Sequence, residues 1–303
     1  KNRGEMAYVP PHRRSGVGEQ SRKLLSVQNS KEKSTPFLDH FSRIFCINLD
    51  SRPEKWQRFR NHARRVIGPA LGHKLERFNA VDGREALETS PRVGVDVTLE
   101  WDSSTNALWD RHVRPGLKLS TAGEIGCSLS HISLWRTFVD ESGSGSGENG
   151  NDDVMLIFED DAELGRSFLQ AFSKAWGLLP SDGDWDIFYL GFSDRGERVD
   201  VVSSNTGRYP DVDIFRPTYG FHTHAYAIKR KASSRLLDNI PIAGPVDVWL
   251  ADNKWFGMKV YCAIYHKRGD NSWSRGLVHQ CRAQGSDIKM SGRSQGESDF
   301  SNN

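Results

Sequence analysis

Apolar, β-prone runs alternate with amphipathic helical segments between Arg43 and Tyr265, and this alternation predicts an α/β sandwich around a mostly parallel sheet. Two further observations agree with it. The segment VMLIFEDDAEL begins with five apolar residues in succession, the pattern of a buried strand. The chain has 303 residues, 37% hydrophobic and 26% charged, enough to bury a substantial core.

Taken in order, RIFCINL (43–49) is the opening strand. DSRPEKWQRFRNHARRVI follows as a helix, with Asp50 or Ser51 available as its cap and Pro53 suited to its first turn. LERFNA is a second strand, stopped by Val81-Asp82-Gly83, a turn that leaves the Asp82 carboxylate at a strand's carboxyl end. Residues 84–119 lack clear periodicity and are expected to be irregular, as an acceptor-side loop. In STAGEIGCSLSHISLWRTFVDE, Thr121 and Glu124 have the spacing of a capping box. Ile125, Leu129, Ile132, Trp135 and Val139 recur there at helical intervals. The Gly/Ser-rich acidic stretch 141–153 is expected to be a surface loop. After VMLIFE come a helix around Ser167 to Leu179, strands at WDIFYLG and THAYAIK, and a helix around Lys231 to Asn239. A helical VDVWLADNKWF and a strand MKVYCAIY complete the series. No repeat of 20–50 residues is present.

Charge is unevenly placed. The net charge is +2, but residues 1–35 hold eight Lys or Arg against three Glu, so the remainder carries −3. The folded part is therefore not a basic nucleic-acid surface. Composition divides the chain into a flexible basic leader (1–38), one large domain (39–283) and a disordered tail (284–303). No stretch approaches the roughly 20 apolar residues of a membrane span. The start at Lys1 carries the expectation that an upstream signal or anchor has been removed. Cys46, Cys127, Cys262 and Cys281 form no Cys-x-x-Cys pair and read as free thiols rather than a zinc site. Trp249, Trp255 and Trp273 read as core, with sugar stacking the rarer alternative.

Glu159, Asp160 and Asp161 follow the apolar strand without a spacer. Carboxylates that close repel unless protons or a cation neutralise them, and manganese or magnesium suits oxygen ligands while leaving places for phosphate oxygens. Alternation sends Glu159 and Asp161 to one side and Asp160 to the other, toward a ribose or a neighbouring strand. Such a cluster serves phosphoryl transfer, glycosyl transfer and metal-dependent hydrolysis alike. His222 and His224, two residues apart, share a strand face, and either could complete a metal shell or pack as a buried histidine.

INLDSRPEKWQRFR, RFNAVDG, GEIGCSLSHISLW, LIFEDDAEL, DWDIFYLG, THAYAIKRKA and PVDVWLAD, in this order, resemble glycosyltransferase family 25. That family includes bacterial lipooligosaccharide galactosyltransferases and collagen hydroxylysine galactosyltransferases, and the likeness runs from about Arg43 to Ile264. The resemblance implies a GT-A-type, Rossmann-like three-layer sandwich and a nucleotide-sugar donor, usually UDP-galactose. It also implies Mn2+ or Mg2+, a glycan or protein hydroxyl as acceptor, and inversion at the anomeric carbon.

On this pattern the Glu-Asp-Asp run is similar to the family's metal-binding Asp-x-Asp element, with Asp161 the strongest candidate for coordination, Glu159 beside it and Asp160 toward the donor. Asn48 and Arg52 stand where the nucleotide pocket begins, and a guanidinium suits phosphate or the base-side wall. Asp82 would reach the ribose or uracil, or else stabilise its own turn before Gly83. Ser130 and His131 lie on a helix edge matched by GEIGCSLSH. His266 occupies the late position of a histidine metal ligand, and the choice among His222, His224 and His266 stays open. Asp247 is the candidate base, with a helix N-cap as its alternative use; Asp186 is the substitute. The resemblance leaves the oligomeric state open. It implies the lumen of the secretory pathway for a trimmed eukaryotic chain, or the cytoplasm if the bacterial relatives are the guide. Two other classes compete: an inactive relative acting as a binding module, and a metal-dependent phosphohydrolase.

Overall fold

The structure, a computed structural model, describes residues 36–105, 116–141, 153–204, 210–266 and 274–281. The expectations for the leader, for most of the Gly/Ser-rich loop, for Trp273 and for the tail lie outside these residues. Along the chain the elements are α1 (Pro36–Asp39), β1 (Arg43–Asn48), α2 (Pro53–Ile67), β2 (Leu75–Asn79), α3 (Gly83–Thr89), β3 (Glu100–Asp102), β4 (Leu117–Leu119) and α4 (Ala122–Asp140). Next come β5 (Val154–Glu159), β6 (Ala162–Leu164), α5 (Phe168–Leu178), β7 (Ile187–Asp194), β8 (Arg198–Ser203), β9 (Asp211–Pro217) and β10 (Gly220–Lys229). The series ends with α6 (Arg230–Leu237), α7 (Val246–Asp252), β11 (Val260–His266), β12 (Ser274–Gly276) and β13 (Val278–Gln280).

Nine strands form the central sheet in the order β2-β1-β5-β10-β7-β11-β9-β8, with β12 beside β11. β2, β1, β5, β7, β11 and β8 run one way, and β10, β9 and β12 run against them. The sheet is thus mostly parallel in direction, with β10 inserted antiparallel beside β5. This insertion matters for function, because the amino end of β10 meets the carboxyl ends of β1, β2 and β5. Ala225 pairs with Phe158, so Thr223 and His224 arrive beside Glu159.

The two faces of the sheet are covered separately. On β5, Leu156 and Phe158 join a core with Phe59, Ala63, Phe168 and Phe172 from α2 and α5. Met155 and Ile157 join a second core with Ile125, Ile132 and Trp135 of α4 and Trp249 of α7. Period-two alternation on a strand covered on both faces explains why β5 contains no polar residue before its tip.

Local chemistry sets the helix boundaries. α2 starts at Pro53 after Arg52, which stands at the N-cap without a side-chain capping bond; the expected Asp50 or Ser51 cap is not used. Lys55, Phe59, Ala63 and Ile67, four residues apart, form its buried face. The capping box of α4 is complete, with Glu124 N–H donating to Thr121 Oγ1 at 3.2 Å and Thr121 N–H donating to Glu124 Oε2 at 2.7 Å. Part of the region expected to be irregular is helical instead. Asp82 Oδ1 accepts the Arg84 N–H at 2.9 Å and caps α3, a short helix that periodicity over seven residues is too brief to reveal.

α3 and α4 meet backbone to backbone. A Cβ added to Gly83 would lie 1.7 Å from Ala122 O, and one added to Gly126 would lie 2.6 Å from Val81 O. Ser130 fastens the contact, its Oγ donating to Gly126 O at 2.6 Å and accepting from Val81 N at 2.8 Å. All four cysteines are free, with Cys46 and Cys262 buried. Trp249 and Trp255 are buried in the core. Among the described residues, no helix is long and apolar enough to cross a membrane.

Gly126→Ala is expected to lower stability by roughly 1–3 kcal/mol, because backbone atoms cannot move aside. Gly177→Ala, on an exposed helical position with nothing near its added Cβ, is expected to raise it by about 0.5–1 kcal/mol. Thermal unfolding of the two variants checks both signs. Asp252 gives a pH signature. Burial, partly offset by the Tyr219 hydroxyl donating at 3.2 Å, raises its pKa from 3.8 to about 6. Between those values the native state keeps a proton that the unfolded chain has released. Its contribution to stability therefore falls as pH rises through that window. Asp252→Asn is expected to flatten that part of the curve of denaturation midpoint against pH.

Candidate functional site

The carboxyl end of β5 delivers three acids into a turn, and each side chain meets a different element. Asp160 Oδ2 accepts from Asn48 Nδ2 at 2.7 Å, at the end of β1. Glu159 Oε1 accepts from Thr223 Oγ1 at 2.9 Å, on β10. Asp161 Oδ2 accepts from Gln280 Nε2 at 2.9 Å, on β13, while its backbone carbonyl accepts from Cys281 N–H at 2.8 Å. Asp160 turns to the neighbouring strand β1, Glu159 to β10 and Asp161 to β13. β5 ends at Glu159 and the next two residues form a turn, so strand alternation does not extend to Asp161.

The electrostatics of the three are unequal. Burial, then the charges of Glu159 and Asp160, push the Asp161 pKa up to about 7 against the pull of Gln280 and Lys55. Its Oδ1 is buried and has no hydrogen-bond partner. Burial also acts to raise Glu159, but His131, His224 and Thr223 together hold it below the ordinary carboxylate value. Lys55, on the buried face of α2, is a cation close enough to act on Asp161.

The two histidines of β10 differ. His224 is 4% exposed, and burial pushes its pKa down to about 4. Its Nε2 lies 3.2 Å from Val278 O, so Nε2 carries the proton and Nδ1 presents a lone pair, which has no partner. His222 Nδ1 lies 2.9 Å from Ser193 Oγ, and its backbone takes φ of 78°, the left-handed region that a β-carbon disfavours. Asp247 holds it there: Oδ2 accepts the His222 N–H and Oδ1 accepts the Val248 N–H, each at 2.9 Å. Pro245, not Asp247, is the N-cap of α7. Asp247 therefore ties the amino end of β10 to the first turn of its own helix, without being that helix's N-cap residue.

Glu124, Cys127, Glu159, His222, His224 and Asp247 line a common cavity of about 50 Å³. That is room for an ion and waters, not for a nucleotide. A larger cavity of about 210 Å³, beside Gly165, Arg166, Tyr265 and Leu277, has no carboxylate or imidazole on its wall.

Other expected site residues are placed differently. Asn48 is 1% exposed, and both its amide hydrogens are taken, by Asp160 and by Arg52 O, while Oδ1 accepts from Arg77 Nε at 2.7 Å. Arg52 sits at the amino end of α2 on the same edge of the sheet. Ser130 is 1% exposed and engaged in the clip between α3 and α4, and His131 is fully buried behind Glu159. Asp82 is exposed and engaged in capping α3. The structure does not bring Asp186 to this edge. It precedes β7 at the opposite end of the sheet, accepting the Lys259 N–H at 2.8 Å and facing Lys231 Nζ at 3.3 Å. His266 closes β11, where its backbone pairs with Asp211 and Ser274; its side chain lies outside the described set. Gln280 and Lys55 were not legible as site residues. Gln280 is 119 residues from Asp161, and Lys55 reads as an ordinary solvated helix lysine.

The donor set fits a hard divalent cation by its chemistry. Asp161 Oδ1 and His224 Nδ1 are each a buried acceptor without a donor, and the Glu159 charge acts on both residues. Among the described residues, the three ligand atoms that lie within 4.8 Å of one another belong to Cys127, His131 and Glu159, a set that does not include Asp161.

Residues 41–250 match the family described as Glycosyltransferase family 25 (LPS biosynthesis protein). A glycosyltransferase 25 family member of Aedes aegypti is 28% identical over 214 residues, covering 69% of this chain and 30% of that protein. One of Drosophila melanogaster is 27% identical over 234 residues, covering 74% and 32%. Procollagen galactosyltransferase 2 of Mus musculus is 26% identical over 219 residues, covering 69% and 30%. The chain therefore spans about a third of the length of these relatives. With a single family model covering most of the α/β body and ending within α7, the chain belongs to glycosyltransferase family 25.

Proposed function

We propose that this chain transfers a sugar, galactose in the first instance, from a UDP-sugar to a hydroxyl of a glycan or protein, with inversion at the anomeric carbon and with Mn2+ or Mg2+ bound. The observation that carries this reading is the meeting of Glu159, His224 and Asp247 around one cavity, with Asp161 two residues beyond Glu159 on the turn after β5, in a chain of this family. The relatives named procollagen galactosyltransferases support galactose and a protein hydroxyl, and a lumenal compartment belongs to the same proposal.

Asp161, Glu159 and His224 would hold the cation, whose contribution is charge compensation at the departing diphosphate. The protein's own part is orientation and proton transfer. Asp247 would take the acceptor hydroxyl's proton as that oxygen attacks from the face opposite UDP. Two backbone N–H groups fix its carboxylate, and each oxygen keeps a lone pair for the incoming proton. Arg52, beside the end of β1, stays on the nucleotide side in this reading. Asp186, tied to Lys231 at the far end of the sheet, has no part in it.

UDP release from UDP-galactose in the presence of an acceptor is expected to require manganese. Asp161→Asn should reduce it by at least about 100-fold while the circular dichroism spectrum is unchanged. Normal turnover in that variant would exclude the proposed ligand. Asp247→Asn should lower kcat by about 100- to 10,000-fold and leave UDP affinity intact. A variant that loses UDP binding instead would show that Asp247 only shapes β10.

A further inference from the structure

Behind the acidic cluster, a chain of buried polar groups runs from α4 to Glu159. Trp135 Nε1 donates to the Tyr226 hydroxyl at 3.0 Å, and His131 Nδ1 lies 2.9 Å from the same oxygen. Trp135 and His131 are fully buried and Tyr226 is 1% exposed, so solvent does not reach these contacts. An indole N–H can only donate, so the phenol oxygen accepts from Trp135. The acceptor in reach of the phenol's own proton is His131 Nδ1. An imidazole that accepts at Nδ1 carries its hydrogen on Nε2.

That Nε2 has no close hydrogen-bond partner and faces Glu159 Oε1 at 3.5 Å, long for a hydrogen bond. Thr223 Oγ1 donates to the same carboxylate oxygen at 2.9 Å. Two groups, one from α4 and one from β10, therefore address Oε1 and leave Oε2 to other partners. The spacing has a simple origin. His131 and Trp135 are four apart on one face of α4, and Tyr226 crosses from the adjacent strand.

We propose that His131, with its tautomer fixed by Tyr226 and Trp135, is the positioning residue that holds Glu159 by Oε1 and so presents Oε2 to the cation. The inference rests on the cation reading of the cluster given above. It also gives His131 Nε2 a proton, and so removes its lone pair from the Cys127, His131 and Glu159 group. His131 then acts through Glu159 and does not touch the donor nucleotide. Groups of this kind, which orient a ligand from behind, typically carry a 10- to 100-fold effect on metal affinity.

Two measurements test the proposal on the whole chain. In metal-free protein labelled with [15N]histidine and assigned with His131→Gln, the His131 signals should show the Nε2-protonated tautomer. The Nδ1-protonated form would overturn the proposal whatever the metal does. Manganese affinity is read from the EPR signal of free Mn2+. Tyr226→Phe and His131→Ala should each weaken it by about 10- to 100-fold. His131→Gln, whose amide N–H can reach the same oxygen, should recover most of the loss. Tyr226→Phe also strands a buried indole N–H, so folding is checked by circular dichroism; the pair His131→Ala and His131→Gln leaves that bond intact. Folded Tyr226→Phe and His131→Ala proteins that bind manganese as the parent does would overturn the positioning role. A parent protein that binds no manganese would instead sink the cation reading, and the tautomer would still decide the relay.

Discussion

Three carboxylates at one strand tip repel one another, and the fold meets that constraint by giving each a partner from a different part of the chain. Asn48 is 112 residues from Asp160, Thr223 is 64 from Glu159, and Gln280 is 119 from Asp161. The cluster is therefore organised only when β1, β10 and β13 are all in place around β5. Each hydrogen bond to a charged oxygen stabilises by about 1.5–3 kcal/mol, but repulsion is only partly relieved. Asp161 still has its pKa lifted to about 7 and an oxygen with no donor. A buried, two-faced strand is stiff enough to keep its terminal charges where a purely solvated turn would let them separate.

The geometry behind the cluster depends on backbone contact elsewhere. Gly83 and Gly126 allow α3 and α4 to touch without side chains between them, and Ser130 closes the contact through its hydroxyl. The residue after Ser130 is His131, so the depth of that helix contact fixes how far the imidazole stands from Glu159. β10 supplies the opposite wall. Its amino end is bent through a left-handed His222, which the Asp247 carboxylate holds by the main-chain N–H. The fold thus places local backbone strain beside the site and satisfies it with a charged group.

Features decided by neighbours in sequence were legible in it. The capping box of α4 and the five apolar residues of β5 follow from spacing alone. Features decided by tertiary pairing were not. β8 and β9 pair antiparallel at the sheet's far edge, and RVDVVS is exposed at every position, so no burial pattern announces it. Polar residues gave the commonest ambiguity. Asn48, Ser130 and Asp82 stand where a ligand contact was expected, and the structure engages each with the protein's own backbone or side chains. A short polar side chain at an element's end has the same sequence signature in either use. Asp186 was misplaced for a different reason: DWDIF locates a strand but not which of its ends the site occupies.

The central claim is that the charges at the tip of β5 are completed by a cation shared with a nucleoside diphosphate. Anomalous scattering at the manganese edge, from crystals grown with Mn2+ and UDP, tests it most directly. The account predicts a manganese peak bonded to Asp161 and to Glu159 Oε2, with the diphosphate as a further ligand. A nucleotide bound without such a peak, or a peak away from both carboxylates, would contradict it.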